Sequence, residues 1–426
     1  MSVKSSVKSS AVEAVSPEPA RCRFCGAALA ETFADLGVSP PSNSYLSEAD
    51  LRRMEPFFPL HAFVCEGCFL VQLDEFQSPE EIFGHYRYFS SFSQSWLRHA
   101  ETYADAMMAR LSLGPRSQVV EVASNDGYLL QFFHRRGIPV LGIEPAVNVA
   151  RAAEEKGITT LVRFFGINTA RSVTLMGKQA DLLIGNNVLA HVPDLNGFVA
   201  GLKIALKPEG VLTLEFPHLL KLMAFNQFDT IYHEHFSYFS LLTASQVFAR
   251  HGLRVFDVEE LPTHGGSLRV FVCHEGAAFK DSGKAEDLLA RECEAGLDKI
   301  ETYRGFGDKV RRLKRDLLRF LINAKEQGKT TVGYGAPAKG NTLLNYCGIG
   351  TDLLDYTVDA SPHKQGLYLP GSRIPIHAPS RIAETKPDYV LILPWNLKDE
   401  IMAQMAHVRG WGGQFVLPVP VLSIAD

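Results

Sequence analysis

The sequence has no run of about 18 consecutive apolar residues, so no segment predicts a membrane-spanning helix. It also lacks a basic excess, because 43 Lys and Arg stand against 47 Asp and Glu, a net charge of −4. Without an overall basic field, nucleic acid is not an expected partner. The N-terminal segment has no apolar core of a secretory signal, and we expect a disordered tail on a cytoplasmic protein.

A chain of 426 residues is too long for one ordinary core, so two or three domains are expected. The patterns described below predict an α/β protein: a zinc-knuckle N-terminal module, a central Rossmann-like sheet and a second, C-terminal α/β Rossmann-like domain. We predict a tail over 1–20, the zinc-binding module over 21–75, the central domain over 76–280 and the C-terminal domain over 281–426.

Cysteine is scarce and unevenly distributed. Three of the seven stand singly and are expected to be buried thiols: Cys273, Cys293 and Cys347. The other four form two Cys-x-x-Cys pairs: Cys22, Cys25, Cys65 and Cys68. Two such pairs can close a tetrahedron around one zinc ion, and a reducing compartment makes disulfides the weaker alternative. Four thiolates leave no open coordination position, so the predicted zinc is structural.

From residue 118 onward, apolar strands alternate with helices, which predicts a parallel, doubly wound sheet with its ligand at the carboxyl ends of the strands. Glu144 ends the second strand, where a carboxylate can accept hydrogen bonds from both ribose hydroxyls. The loop after the first strand has one glycine, Gly127, and two acids, Glu121 and Asp126. Acids repel a pyrophosphate and suit a cationic ligand, so the loop favours S-adenosylmethionine over NAD.

A second α/β unit begins with "TTVGYGAPAKGNTLLN", a strand from Thr331 to Tyr334 followed by a helix that opens near Lys339. Backbone amides at a helix start, together with a lysine, favour a diphosphate. The next strand ends at Asp359, and Lys364 follows in a loop. A Rossmann unit that serves only as a scaffold is the alternative that the motif alone leaves open.

The segment "YHEHFSYFS", residues 232 to 240, interleaves titratable groups with aromatic rings just beyond the fifth strand. Forming a carbon–carbon bond to a methyl donor requires a carbanion, hence a base and a donor for the enolate oxygen. Histidine is the usual base near neutral pH. Local spacing does not decide which of His233 and His235 faces the substrate, and a histidine satisfied in the core is the alternative.

Four features follow one another along the chain: the zinc knuckles, the central strand-and-loop pattern, "YHEHFSYFS" and "GYGAPAKGNTLLN". From about Cys22 to about Pro418 they resemble the nucleotide-sugar C-methyltransferases, and the central domain resembles class I methyltransferases. The resemblance implies methyl transfer from S-adenosylmethionine to the carbon alpha to the ketone, C3, of a dTDP-linked 4-keto-deoxysugar, through an enolate. It also implies a place in antibiotic deoxysugar biosynthesis. One departure is visible, because Ala123 and Asn125 stand where many methyltransferases carry glycine.

The resemblance implies that His235 is the base, with Tyr232 and Glu234 as its partners, and that Tyr86 closes over the site. His191, in the loop after the fourth strand, is expected at the same edge of the sheet. The candidate cofactor ligands are Ala123, Asn125, Asp126, Gly127, Glu144, Pro145, Asn186 and Asn187. The candidate substrate ligands are His264, Arg269, Tyr334, Lys339, Asn341, Asp359 and Lys364.

Two other functions compete with methyl transfer. Both sheets suit an NAD-dependent nucleotide-sugar oxidoreductase, against which the acidic first loop counts. A non-catalytic zinc-ribbon adaptor is the second alternative, against which the net negative charge counts. The expected partner is a small dTDP-type nucleotide sugar, with neither nucleic acid nor membrane, and a three-part chain of this size can act as a monomer.

Overall fold

The computed structural model describes residues 20–84, 89–92 and 94–425, and its strands form three sheets of four, seven and six strands. The two larger sheets are mostly parallel and carry helices between their strands. The predicted α/β class, with a small N-terminal module and two Rossmann-like sheets, is confirmed. No helix within these ranges has the length and apolar character needed to cross a membrane.

The N-terminal module is a small antiparallel sheet. Its elements are β1 (Glu31–Ser39), β2 (Phe58–Val64), β3 (Val71–Leu73) and α1 (Pro79–Phe83). Cys65 and Cys68 lie in the turn between β2 and β3, where Val64 pairs with Val71. This hairpin returns the second cysteine pair toward the first, which precedes β1.

The central domain contains the seven-stranded sheet. Its strands are β4 (Val119–Val122), β5 (Val140–Ile143), β6 (Thr160–Leu161), β7 (Ala180–Asn186), β8 (Leu206–Pro217), β10 (Leu253–Leu261) and β11 (Ser267–His274). Strand β9 (Ser237–Tyr238) lies between β8 and β10 in the chain but belongs to the N-terminal sheet. Its helices are α2 (Gln94–Leu111), α3 (Leu130–His134), α4 (Val147–Glu155), α5 (Ile167–Leu175), α6 (Leu195–Ala205), α7 (Leu219–Ala224) and α8 (Leu241–Arg250).

The strand order of this sheet is β10-β11-β8-β7-β4-β5-β6, with β11 antiparallel to both of its neighbours. The chain runs outward from β4 to β6 and then returns to β7 beside β4, so the strand order reverses between β4 and β7. Loops that leave these two strands diverge and open a crevice at the carboxyl edge. All four residues of β4 are buried, as expected for a parallel strand covered on both faces.

Helix α5 was not predicted, because its sequence "INTARSVTL" is rich in β-branched and polar residues of low helix propensity. Tertiary packing explains it. A Cβ at Gly201 in α6 would lie 2.9 Å from the backbone of Gly166, so α6 can approach the start of α5 closely only because residue 201 is glycine.

Strand β9 joins the N-terminal sheet, where Tyr238 pairs with Val71 and Ser237 with Gln72 of β3. It belongs to the "YHEHFSYFS" segment, so this segment forms a bridge from the central domain to the zinc-binding module. No pattern in the sequence indicated this pairing, since the two strands are far apart along the chain.

The C-terminal domain begins with three helices. Its sheet has the order β14-β13-β12-β15-β16-β17 and is parallel except for β17. The helices are α9 (Lys284–Glu294), α10 (Ile300–Arg304), α11 (Phe306–Glu326), α12 (Ala338–Cys347), α13 (Ser380–Thr385) and α14 (Lys398–Gln404). The strands are β12 (Thr331–Tyr334), β13 (Thr357–Val358), β14 (Ile376–His377), β15 (Tyr389–Ile392), β16 (Gln414–Leu417) and β17 (Ser423–Ala425). Here the order reverses between β12 and β15, so the loops after these strands face each other.

Candidate active site

The four cysteine sulfurs of the knuckles converge, and all lie within 4.8 Å of one another. The Sγ atoms of Cys22 and Cys68 are 3.6 Å apart, and those of Cys25 and Cys65 are 3.4 Å apart. Ligands about 2.3 Å from a tetrahedral zinc ion stand about 3.8 Å from one another, so the arrangement fits Zn²⁺ closely. These four residues would hold the zinc, and the ion would supply no chemistry beyond holding the module together, because it has no open position.

The cofactor loop, residues 123–127, has left-handed backbone angles at two positions that are not glycine, and Asn187 in the loop after β7 has them too. Ala123, Asn125 and Asn187 have φ values of 55°, 50° and 52°, in the left-handed region, and Gly127 has φ 72°. A non-glycine residue is strained there, and such residues concentrate at functional sites. Ala123 and Asn125 therefore adopt backbone angles that glycine adopts without strain.

The crevice between β4 and β7 contains buried acceptors without a donor. Asp126 Oδ1, Asn186 Oδ1 and Asn187 Oδ1 make no hydrogen bond to any residue that the structure describes. Glu144 accepts hydrogen bonds from the backbone amides of Asn125 at 3.0 Å and Ala146 at 2.9 Å, and Pro145 follows it directly in the chain. Such acceptors fit a ligand that carries hydrogen-bond donors, as S-adenosylmethionine does, while the other oxygen of Asp126 is paired with Lys156 at 3.1 Å.

Aromatic rings form one wall near this crevice. Trp96 stacks on Tyr128 and on His264, with ring centroids 5.9 and 5.3 Å apart. Asn187 Nδ2 donates to His264 Nε2 at 3.2 Å, so His264 lies beside the loop after β7. Burial and the charge of Lys339 lower the pKa of His264 to about 4, so its imidazole is neutral.

Arg269 is engaged inside the central domain. Its guanidinium is 2.7 Å from Glu215 and 3.1 Å from Glu259, and it lies over the ring of Tyr103. These ion pairs support a structural role and leave the substrate contact suggested by the sequence without support. Sequence alone does not reveal this, because the pairing acids stand on neighbouring strands.

The catalytic candidates meet in one turn. His235 N donates to Tyr232 O at 2.8 Å, and the rings of Tyr232 and His191 lie 4.0 and 4.7 Å from the His235 ring. His235 Nδ1 is 2.9 Å from Thr230 O, and His191 Nδ1 is 2.7 Å from Glu234 O. A carbonyl oxygen only accepts, so each Nδ1 carries the proton and each Nε2 carries a lone pair.

Burial keeps these imidazoles neutral. It lowers the pKa of His191 to about 4, and it lowers that of His235 well below its ordinary value, with a further contribution from His191. Burial also raises the pKa of Glu234 to about 7, although a hydrogen bond from Asn43 acts in the opposite direction. The turn therefore offers unprotonated imidazole nitrogens beside a carboxyl group that titrates near neutrality.

His233 points away from this group. Its Nε2 is 3.1 Å from Pro59 O, and its ring contacts those of Phe58 and Phe76 at 5.9 and 6.5 Å. The N-terminal sheet thus holds His233, and His235 faces His191. Tyr86, the remaining catalytic candidate, lies outside the described residues.

Lys339 brings the C-terminal domain to the catalytic turn. Its Nζ donates to Asn396 Oδ1 at 2.5 Å and lies 4.3 Å from the ring centre of Trp395, whose Nε1 donates to Asp229 Oδ2 at 2.7 Å. Burial lowers the pKa of Lys339 to about 8, and the lysine charge in turn lowers the pKa of His235. The negative charge of Asp229 acts on the pKa of Lys339 in the opposite direction.

The other substrate candidates gather around the turn after β12, with one exception. Asp359 accepts a hydrogen bond from Ala336 N at 2.8 Å, and Lys364 Nζ donates to Ala336 O at 2.9 Å. Asn341 Nδ2 donates to Ser42 O at 2.6 Å. The exception is Tyr334, whose hydroxyl is directed to Gln404 at 3.4 Å.

Comparison with known proteins agrees with this architecture. Family profiles match in three places: a zinc binding domain over 22–83, a methyltransferase domain over 96–258 and a C-methyltransferase C-terminal domain over 262–420. The C-methyltransferase NovU of Streptomyces niveus is 37% identical over 399 residues, which cover 94% of this chain and 95% of that protein. This chain belongs to the C-methyltransferase family. It is an S-adenosylmethionine-dependent methyltransferase with a zinc-binding module, so the oxidoreductase and adaptor alternatives lose their support.

Two further similarities are more local. The ubiquinone biosynthesis O-methyltransferase of Methylobacterium sp. (strain 4-46) is 33% identical to this C-methyltransferase over 97 residues, 22% of this chain and 38% of that protein. The structure of magnesium protoporphyrin IX methyltransferase (ChlM) from Synechocystis PCC 6803 with bound SAH matches with a TM-score of 0.34 and 14% identity. That match covers 42% of this chain and 83% of the other.

Three polar residues of the candidate sites were not predicted from the sequence: two near the catalytic candidates and one beside the zinc cysteines. Asn43 donates a hydrogen bond to Glu234, and Asp229 accepts one from Trp395. Gln72 of β3 donates from Nε2 to the sulfur of Cys22 at 3.2 Å. Asn43 stands in "PPSNSY", a turn-like composition that signals a loop without indicating its neighbours. Their roles depend on contacts between distant segments.

The strained cofactor loop gives a first prediction. Ala123→Gly should raise the free energy of unfolding by about 0.5–1 kcal/mol, because relief of a left-handed alanine exceeds the entropy that glycine adds to the unfolded chain. Urea titration followed by fluorescence measures it. The matched control is Ala249→Gly in α8, where an exposed helical alanine is replaced and stability should fall by about 1 kcal/mol. Equal losses in both variants would contradict strain at Ala123.

Proposed function

We propose that this enzyme transfers the methyl group of S-adenosylmethionine to the carbon alpha to the ketone, C3, of a dTDP-linked 4-keto-deoxysugar through a base-generated enolate. One observation carries the proposal: His235 presents an unprotonated Nε2, fixed by the bond from Nδ1 to Thr230 O, beside His191 of the loop after β7 and within electrostatic range of Lys339. An unprotonated imidazole nitrogen held in a fixed orientation is suited to remove a proton from carbon.

His235 acts first on the sugar. Its Nε2 takes the proton from the alpha carbon, and the electrons of the broken C–H bond form the enolate with its charge on the ketone oxygen. Thr230 O keeps accepting from Nδ1 while the ring becomes an imidazolium, so the ring does not rotate. A buried imidazolium is costly by itself, and the enolate formed beside it offsets that cost.

The enolate oxygen requires a donor. The ammonium of Lys339 has only Asn396 as a described hydrogen-bond acceptor, and its charge reaches His235. His191 is neutral, so its Nε2 lone pair can accept a hydrogen bond from a sugar hydroxyl. Preorganised charge in a buried site stabilises a developing oxyanion better than water does, because no solvent must reorient.

The cofactor would be held by Glu144 and by the loop from Ala123 to Gly127, with Asn186 and Asn187 across the crevice. When bound, it supplies the electrophilic methyl group for the enolate carbon. The unsatisfied acceptor oxygens of Asp126, Asn186 and Asn187 support a cationic ligand with donor groups. The N-terminus of α12 and Lys364 would bind the diphosphate of the sugar nucleotide.

Deuterium exchange and methyl transfer test the proposal separately. In D₂O, the enzyme should exchange the alpha proton of dTDP-4-keto-6-deoxyglucose, and with S-adenosylmethionine present it should give a product with one added methyl group by mass spectrometry. Calorimetry should find one site per chain for S-adenosylmethionine and one for TDP. Binding of both ligands without exchange would reject the enolate mechanism, and failure of TDP to bind would reject the nucleotide sugar.

A further inference from the structure

The loop after β1 connects the zinc-binding module to the C-terminal domain. Asn341 Nδ2 donates to Ser42 O at 2.6 Å, and the hydroxyl of Tyr45 donates to Ala336 O at 2.5 Å. Leu46 exchanges two backbone hydrogen bonds with Tyr368, at 3.0 and 2.9 Å. Residues 42–46 are therefore fixed on the C-terminal domain, close to the turn where the substrate candidates gather.

Asn43 lies within this fixed loop and turns toward the catalytic segment. Its Nδ2 donates to Glu234 Oε1 at 2.6 Å across 191 positions of the chain. Glu234 is only 7% exposed, and no donor from the described residues reaches its other oxygen, Oε2. Because Oε1 is occupied by Asn43, Oε2 is the carboxylate oxygen that can accept a hydrogen bond from a bound ligand.

We propose that Asn43 is a positioning residue of the methyl-transfer site: it holds the Glu234 carboxylate so that Oε2 accepts a hydrogen bond from a hydroxyl or amino group of the bound sugar. The inference rests on the proposed function. If Asn43 has this role, the N-terminal module binds zinc and also supports the loop whose Asn43 orients Glu234 toward the sugar. Glu234 consequently acts on the sugar, while Thr230 O and not this carboxylate orients His235.

The charges around Glu234 determine how the bond affects its ionisation. His191 and His235 lie on the catalytic side and are neutral. On the side of the C-terminal domain, Tyr45 is within electrostatic range of Lys364, Asp359 and Glu234. Only burial and the Asn43 bond shift the pKa of Glu234 appreciably, in opposite directions. Removal of the bond must therefore raise that pKa further above about 7.

The test compares Asn43→Ala and Asn43→Asp with the wild-type enzyme and with Ser44→Ala, a neighbouring exposed residue, as the matched control. At pH 7, Asn43→Ala should lower kcat/KM about tenfold, the fold-change typical for loss of one hydrogen bond to a charged group. The acidic limb of the pH profile should move to higher pH. Asn43→Asp keeps the volume but replaces the donor with a carboxyl, so it should move that limb further. Ser44→Ala should match the wild type.

A second readout does not require turnover. The Glu234 carboxyl, labelled with ¹³C and assigned by its absence in Glu234→Gln, should titrate at higher pH in Asn43→Ala than in the wild type. Unchanged titration and an unshifted pH profile in both variants would overturn the inference, even if the variants were less stable. Absence of methyl transfer by the wild-type enzyme itself would instead reject the proposed function, and the carboxyl titration would still decide the role of Asn43.

Discussion

Replacement of His235 by asparagine should lower the rate of methyl transfer by about 10²–10⁴-fold, the range that a positioned general base contributes. Asparagine approximates the size of the ring but has no basic nitrogen to take the alpha proton. Binding of S-adenosylmethionine should not change, because the crevice residues belong to other loops. Single-turnover mass spectrometry gives the rate, and calorimetry gives the binding constant.

The neighbouring histidine provides a matched control for this experiment. His233→Asn alters a ring that contacts Pro59, Phe58 and Phe76 on the N-terminal sheet, so the rate should change by only a few-fold while stability falls. Deuterium exchange at the alpha carbon isolates proton removal from methyl transfer. If His235→Asn exchanged deuterium at the wild-type rate, another group would have to be the base.

Replacement of Cys65 by serine should unfold the N-terminal module and abolish activity with it. Structural zinc contributes about 10–16 kcal/mol in zinc-finger peptides, as much as or more than the total stability of a typical domain. The loss should extend to catalysis, because β9 pairs with β3 beside the catalytic turn and residues 42–46 follow the same sheet. Metal analysis and thermal unfolding measure zinc content and stability together.

Cys293 supplies the control for the zinc experiment. The expected burial of this single cysteine was wrong, because it is exposed in the structure, whereas Cys273 and Cys347 are buried. Cys293→Ser should keep one zinc ion per chain, the wild-type melting temperature and full activity. Retention of one zinc per chain by Cys65→Ser would mean that the four converging sulfurs are not the ligand set. Loss of zinc with full activity would instead show that the module does not support the catalytic turn.

Much of the fold follows from local patterns. The Cys-x-x-Cys spacing predicted the zinc module, and the alternation of strands and helices predicted both larger sheets, since each pattern reflects a few adjacent residues. The strand predicted at Thr331–Tyr334 has those same limits in the structure. Helix α5 was missed because the close packing of α6 against its first residues overrides its low propensity.

The site was predictable to a smaller extent. The acidic, glycine-poor loop correctly favoured S-adenosylmethionine, because the charge of a ligand is reflected in the residues that must face it. The surroundings of Arg269 were not predictable, since Glu215 and Glu259 reach it only when β8, β10 and β11 pair. The hydrogen bond from Asn43 to the Glu234 carboxyl was not predictable either, because the two residues belong to different modules.

The sequence by itself determined the zinc ligands, the two Rossmann-like sheets and the choice of a cationic cofactor, because spacing, periodicity and charge are properties of short segments. Only the tertiary structure decided that His235 faces His191 while His233 faces the N-terminal sheet. The pairing of β9 with β3 and the bond from Asn43 to Glu234 fix the direction of each side chain in this turn. Those contacts join distant parts of the chain, and no local pattern encodes them.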